Sequence, residues 1–389
     1  MLFTISNQPF LHLLELYVYL KDRNLNFSLI SSSNGVLVFN SEAKPEILAR
    51  DLGSLIKIGI IKISLEKENI YSLKEKLKDV SFYDKLEDKF YWALSLYKAD
   101  ELKPLLIEFF NKKFKEEGIK KAKLLKPYKN EEVYSYQLEK VIKKGFEVVA
   151  FLAYDKYYLG KTLALTDIKG YFERDFKRPY RKSIISLPPK LARILANLAG
   201  AKKNRVILDP FCGTGTILQE AMMLNADVVG IDIKEIYVKK ARENLFWLKN
   251  KYGLNSNFKV FKGDATKLSE FLDVKVNGIA TEPILLPPLR GPLSKEKALT
   301  LLKKSQRIYY AALREFNKVL KEEGRIAIIL PYILTKEGET LSFPIKDQAK
   351  KLGLETFLPK DIKINYPLFY KSEKEKIVNR GVWVFKKIY

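Results

Sequence analysis

The spacing of apolar residues changes character twice along the chain. Over the first 65 residues short apolar runs alternate with polar turns. Val36-Leu37-Val38-Phe39 reads as a strand, Pro45 to Leu55 as a helix, and Ile58 to Ile63 as a second β-branched run. This predicts a small α+β unit. From about 66 to 165 helical spacing takes over: Leu102, Leu105, Leu106, Phe109, Phe110 and Phe114 mark one side of an amphipathic helix through Glu117. A second helix is expected near Glu131–Lys144, ended by Gly145. The runs Phe146–Ala153 and Tyr158–Leu165 then flank Tyr154-Asp155-Lys156 as a hairpin. Pro188-Pro189 opens a helix that Gly200 stops.

Beyond residue 204 strand and helix signals alternate. Strands are expected at Arg205–Leu208, Val228–Ile231, Phe258–Phe261, Gly278–Ala280 and Arg325–Leu330. Helices are expected at Thr216–Leu224, Ile236–Lys249 and Ser294–Lys321. That rhythm predicts an α/β, doubly wound, mostly parallel sheet with ligands at the carboxyl ends of its strands. Val382-Trp383-Val384-Phe385 reads as a closing antiparallel edge strand. The expected division is 1–65, a small N-terminal α+β unit; 66–165, a second unit; 166–190, a basic and aromatic linker; and 191–389, the doubly wound domain.

Charge sharpens this picture. The chain of 389 residues carries a net +24, and none of the excess lies in residues 1–100. Residues 101–200 net +10 and residues 201–389 net +14. Clustered lysine and arginine suit a polyanion, because they replace the counterions condensed on phosphates. The run Lys120, Lys121, Lys123 and Lys126 is one candidate contact. In the linker, Arg174, Arg178 and Arg181 stand among Tyr171, Phe172, Phe176 and Tyr180, a mixture that either holds RNA or cements two domains. No apolar run reaches the roughly 18 residues that span a bilayer, and the N-terminus lacks a leader pattern, so a cytoplasmic protein without a membrane partner is expected. One cysteine, Cys212, and one histidine, His12 in an apolar run, argue against zinc or triad chemistry and against a bound metal. No obligate protein partner is evident.

The chemistry concentrates in Asp209-Pro210-Phe211-Cys212-Gly213-Thr214-Gly215-Thr216, directly between the first strand of the doubly wound domain and its helix. Gly213 and Gly215 allow a sharp turn and close approach of a ligand, and the backbone N–H groups that open the helix face it. A nicotinamide site wants a third glycine where Leu218 stands, and a phosphate loop wants Gly-Lys-Ser/Thr, which is absent. An acid before the glycines suits a ligand with a positive amino group, such as S-adenosylmethionine. Asp232 follows about 20 residues later, where a carboxylate accepts ribose hydroxyls. Asp264 ends the third strand and can accept from an adenine amine.

With these residues in view, the chain resembles the archaeal tRNA guanosine-10 N2-methyltransferases and their THUMP-containing relatives. The matching residues are Asp209-Pro-Phe-Cys-Gly-Thr-Gly215, Asp232, Leu187-Pro188-Pro189-Lys190-Leu191-Ala192 and the joint Tyr171-Phe172-Glu173-Arg174-Asp175 with Arg178-Pro179. The resemblance implies a class I Rossmann-like domain that transfers a methyl group from S-adenosylmethionine, with cofactor contacts from Asp209, Phe211, Gly213, Gly215, Thr216, Asp232 and Asp264. It also implies a THUMP-like RNA-binding domain over residues 66–165 that grips tRNA, and a ferredoxin-like N-terminal unit over residues 1–65.

The fourth strand runs into "ATEPILLPPLRG", residues 280–291, where the family carries Asn/Asp-Pro-Pro-aromatic. Glu282 then takes the place of the amine acceptor and Pro283 shapes the loop. Ile284 replaces the second proline, and no aromatic follows at 285 or 286. Phe211, Tyr332 or a joint aromatic is expected to supply the stacking surface, and Arg290 to meet a phosphate. The expected activity is methyl transfer to guanine N2 in tRNA. An amino-methyltransferase of rRNA or DNA, or a tRNA-binding protein with a degenerate methyltransferase domain, are the alternatives.

Overall fold

The structure is a computed structural model that describes residues 1–33, 35–83, 89–125, 135–181, 187–283, 286, 289, 291–371 and 377–388. Among the described residues of the first 165 lie eight strands: β1 (Leu2–Ile5), β2 (Ser28–Ser33), β3 (Val36–Asn40), β4 (Lys57–Glu66), β5 (Lys89–Tyr97), β6 (Lys121–Leu125), β7 (Gly145–Ala153) and β8 (Lys156–Leu165). Their helices are α1 (Pro9–Asp22), α2 (Pro45–Asp51), α3 (Leu73–Lys78), α4 (Lys103–Glu116) and α5 (Ser135–Lys144). The chain forms two compact units. The first comprises Met1–Pro9, Arg23–Arg50 and Leu55–Ile168; the second takes Phe10–Asp22, Asp51–Ser54 and Lys169–Tyr389.

The first unit is one eight-stranded sheet in the order β2-β3-β1-β4-β8-β7-β5-β6. Residues 1–65 and 66–165 therefore share a sheet, joined where β4 pairs antiparallel with β8. A buried polar cluster crosses that join. Lys57 on β4 donates to Glu147 on β7 at 2.8 Å and to Ser95 on β5 at 3.1 Å, and Thr162 on β8 donates to the same carboxylate at 2.5 Å. Two buried charges persist there only because each is paired and bonded. The helical spacing read over residues 102–117 appears as α4, which buries Leu106, Phe110 and Phe114. These pack with Phe82, Phe90, Trp92 and Phe146 into an aromatic core.

The second unit contains α6 (Ile168–Phe176, joining it from Lys169), α7 (Pro189–Leu198), α8 (Thr216–Met222), α9 (Glu235–Tyr252), α10 (Lys295–Val319) and α11 (Ile345–Lys351). Its strands are β9 (Val206–Asp209), β10 (Asp227–Asp232), β11 (Phe258–Lys262), β12 (Val276–Thr281), β13 (Leu320–Leu334), β14 (Thr340–Leu341), β15 (Leu354–Thr356), β16 (Leu368–Phe369) and β17 (Val378–Lys387). The main order is β11-β10-β9-β12-β13-β17-β15. The first five are mutually parallel and β17 is antiparallel. This is the doubly wound fold that the alternating pattern predicts. The closing strand differs in one respect: β15 pairs on its outer side, so β17 is interior. Its apolar run Val382–Phe385 is buried, as a strand covered on both edges requires.

Helix α1 contributes to this second unit, a placement its sequence position conceals. Glu15 is fully buried and accepts from Gly53 N at 2.8 Å, Ser54 N at 2.9 Å and Asn197 Nδ2 at 2.6 Å. Burial pushes its carboxyl up from the usual range, and these hydrogen bonds, with one from the Ser54 hydroxyl, oppose that shift. Gly53 is required by closeness: a Cβ there would lie 2.3 Å from the Lys190 carbonyl oxygen. The helix expected to reach Leu55 accordingly stops at Asp51. His12 is fully buried, 2.8 Å from Ser54 Oγ, and burial pulls its imidazole down to about 3.

Candidate active site

The carboxyl ends of β9, β10, β11 and β12 each present an acid. Asp209 closes β9, Asp232 closes β10, Asp264 follows β11, and Glu282 follows β12. The glycine loop lies between the first two. Gly213 and Gly215 adopt φ of +52° and +85°, left-handed values that favour glycine. At Gly213 a Cβ would meet nothing within 4 Å. Backbone conformation, rather than crowding, therefore calls for glycine there, and the loop surface is open to a ligand.

Hydrogen bonds fasten this loop to the acids. Gly213 N donates to Asp232 Oδ2 at 3.0 Å, and Lys234 N donates to Oδ1 at 2.9 Å. Each oxygen retains a second lone pair toward the strand end. Asp209 lies deeper. It accepts from Phe211 N at 3.1 Å and from the Thr281 hydroxyl at 2.8 Å, which couples the glycine loop to the strand carrying Glu282. Burial, with Asp232 and Glu282 nearby, pushes its carboxyl up to about 7. Asp264 Oδ1 caps the following turn, accepting from Thr266 N at 2.9 Å and Thr266 Oγ1 at 2.8 Å. Cys212 is buried, and burial raises its thiol well above its ordinary value, so it packs as a small apolar group.

The joint residues fare differently. Arg174 and Arg178 were expected at an RNA surface, yet both are buried. Arg174 Nε donates to Glu220 Oε1 at 2.6 Å, and Arg193 pairs with the other oxygen of Glu220 at 2.7 Å. Arg178 donates to Thr216 Oγ1 at 2.8 Å and Gln219 Oε1 at 2.9 Å. The Thr216 hydroxyl, expected to face a cofactor, thus accepts from Arg178. These guanidiniums neutralise a buried glutamate and brace α8, so no phosphate reaches them. Asn244 on α9 completes the brace, donating to Thr214 O at 2.9 Å and exchanging bonds with the Tyr180 backbone. Arg181 keeps an exposed side, paired with Asp175 at 3.2 Å and lying 3.8 Å over Phe176.

Phe211 is partly buried against the core of the second unit. Glu282 pairs with Arg380 at the head of β17, Nε to Oε1 at 2.5 Å, and both side chains are about nine-tenths enclosed. Pro283 is buried beside it. The sequence conceals this partner of Glu282, since Arg380 lies 98 positions away and its only signal is an arginine opening an apolar strand. Tyr332, a candidate stacking residue, accepts from Trp383 Nε1 at 3.0 Å and meets Phe369 edge-on at 4.9 Å. Lys120, Lys121 and Lys123 belong to the first unit. All three are exposed, the latter two on the edge strand β6. Lys126 and Arg290 lie outside the described residues.

This sheet order, with a glycine loop after its first strand and acids at successive strand ends, defines a class I, Rossmann-like methyltransferase fold. TrmN from Thermus thermophilus superposes over 100% of this chain and 99% of its own, with a TM-score of 0.55 at 18% identity. SMU.472, described as a putative methyltransferase complexed with SAH, gives 0.50 at 15% identity over 100% and 98%. The family described as RMKL-like, methyltransferase domain matches residues 177–337, and one described as DNA methylase matches residues 61–243.

In sequence, the chain is similar to the archaeal tRNA (guanine(10)-N2)-dimethyltransferases, and the resemblance read from its motifs is borne out. The protein of that name from Methanothermobacter thermautotrophicus is 37% identical over 187 residues, 47% of this chain and 50% of its own length. That of Pyrococcus abyssi is 32% identical over 217 residues, 55% and 60% respectively. The chain thus matches about half to three-fifths of these relatives' lengths. Among the described residues no helix is long and apolar enough to cross a membrane.

Proposed function

We propose that this chain is an S-adenosylmethionine-dependent tRNA methyltransferase that modifies the exocyclic N2 of a guanosine, at position 10 as in the named relatives. The observation that carries the reading is the row of four acids at adjacent strand ends around one glycine loop. Three of them suit the cofactor and the fourth suits the acceptor base.

The residues present fit that cofactor. The open surface at Gly213 admits a ligand against the backbone. Asp232 has lone pairs for two ribose hydroxyls, and the remaining capacity of Asp264 suits the adenine amine. Asp209 supplies negative charge beneath the loop, beside a cationic methionine moiety. Phe211 and Gly215 shape the cradle. When bound, the cofactor supplies an electrophilic methyl group on a sulfonium.

The acceptor is a weak nucleophile, since the N2 lone pair is delocalised into the guanine ring. Glu282 accepts a hydrogen bond from the amine and receives the proton that nitrogen loses as its new bond to carbon forms. Pro283, buried behind it, sets the path of the loop. Alignment of the nitrogen with the methyl carbon contributes several kcal/mol in systems of this kind. On the first unit, taken as ferredoxin-like and THUMP-like portions, exposed Lys120, Lys121 and Lys123 hold tRNA phosphates, and Arg181 on the second unit adds a further cation.

The test is methyl transfer from labelled cofactor to unmodified tRNA, followed by nucleoside mass spectrometry. N2-methylguanosine or its dimethyl form at position 10 supports the reading. Product confined to DNA or rRNA would move the assignment to those substrates, and tRNA binding without product would leave a scaffold.

A further inference from the structure

The parallel strands of the second unit end at the row of acids, but β17 runs the other way. Its first residues, not its last, therefore stand at that edge. Arg380 is held there from both sides: it pairs with Pro331 on β13, and its carbonyl accepts from Tyr370 N at 3.1 Å. Gly381 follows, and a Cβ on it would lie 2.2 Å from the Tyr332 ring, so the ring lies directly against the strand. Trp383 Nε1 anchors that ring through its hydroxyl. The backbone that carries Arg380 is thus fixed by packing, and its guanidinium reaches across β13 to Glu282 at 2.5 Å.

We propose that Arg380 is the positioning residue for the Glu282 carboxylate. The inference rests on the reading of Glu282 as the amine acceptor. A glutamate carries one methylene more than the aspartate or asparagine of the motif it resembles, and with it one more rotatable bond. A side chain free about that bond spends only part of its time aimed at the amine. The guanidinium selects one arrangement, and drawing the carboxylate toward β17 takes up the additional length. Charge adds a second reason. Glu282 lies near Asp209, close enough to raise that group, and Asp232 does the same. A cation beside Glu282 offsets the mutual repulsion of three carboxylates. The pairing of a longer acid with an arginine from the last strand is therefore a working substitute for a shorter acid.

Arg380→Met and Arg380→Lys, alone and combined with Glu282→Gln, test this in the full chain with S-adenosylmethionine and unmodified tRNA. Arg380→Met is expected to lower kcat by at least about tenfold, with KM for both substrates changed by no more than about twofold. Arg380→Lys is expected to recover most of the loss. The acid limb of the kcat–pH profile moves to higher pH in the Met variant and stays near its original place in the Lys variant. In the Glu282→Gln background, Arg380→Met costs nothing further, because the two side chains act as a unit. A near-normal kcat for Arg380→Met, or equal fold losses in both backgrounds, would overturn the inference while leaving Glu282 in its role. An unchanged kcat for Glu282→Ala would instead overturn the acceptor reading beneath it. If Arg380→Met does not fold, Arg380→Gln decides the case by the same criteria.

Discussion

Asp209 is expected to make S-adenosylmethionine affinity pH-dependent near neutrality. Its carboxyl is buried at 2% exposure beside Asp232 and Glu282, which pushes it up to about 7 from an ordinary 3.8. A cationic ligand in the loop above favours the ionised form, so binding below pH 7 must release a proton. Affinity then falls toward tenfold per pH unit, about 1.4 kcal/mol each. Between pH 7.5 and 5.5 the net loss is about 25-fold, provided the liganded carboxyl stays ionised throughout. Isothermal titration with S-adenosylmethionine, in buffers of different ionisation enthalpy, reads both the affinity and the proton count. At pH 6 about 0.9 proton should leave per ligand bound. Asp209→Asn should abolish both the slope and the proton release. Stability of the free protein runs in the opposite sense. The folded state keeps a proton that the unfolded chain has given up above 3.8, so the contribution of this group is full below that value and is lost as pH rises through about 7. A flat affinity from pH 5.5 to 7.5, or an identical slope in Asp209→Asn, would refute the placement of the cationic ligand over Asp209.

Asp232→Ala removes the acceptor of Gly213 N and the proposed acceptor of two ribose hydroxyls, and should weaken cofactor binding by about 10- to 100-fold with tRNA affinity nearly intact; equal cofactor affinity would remove the ribose assignment. Glu282→Ala should cut turnover by roughly 10²-fold or more while both ligands still bind, and surviving turnover would place the amine acceptor elsewhere. Glu220→Ala strands Arg174 and Arg193 in the interior and should cost about 3–5 kcal/mol of stability, read as a lower midpoint in denaturant; a midpoint within error of the parent would mean that water or another acid reaches the pair. Charge reversal at Lys120, Lys121 and Lys123 should lower tRNA affinity and flatten its salt dependence by roughly 0.7–0.9 per lost contact, and an unchanged slope would return these lysines to a solvated face.

The legibility of this molecule follows from the range of the interactions involved. Strand and helix alternation after residue 204 was readable because each element repeats a local period and ends in a local signal. The acids at strand ends were readable for the same reason, each following its own apolar run. Arg174 and Arg178 were misread because a sequence shows the charge but not its partner. Glu220, which neutralises Arg174, lies 46 residues away in a helix that looks apolar. Helix α1 gave no sign that it crosses into the second unit, since the groups binding Glu15 come from residues 53, 54 and 197. The loop at Glu282 is the sharpest case. Read locally, a longer acid with no second proline and no aromatic is a weakened motif. Its carboxylate pairs with Arg380, delivered by a strand whose antiparallel direction no local period reveals. A departure from a motif can therefore be judged only together with the residue that the topology brings against it. Here that residue is a largely enclosed arginine paired with the side chain that the motif would have made shorter.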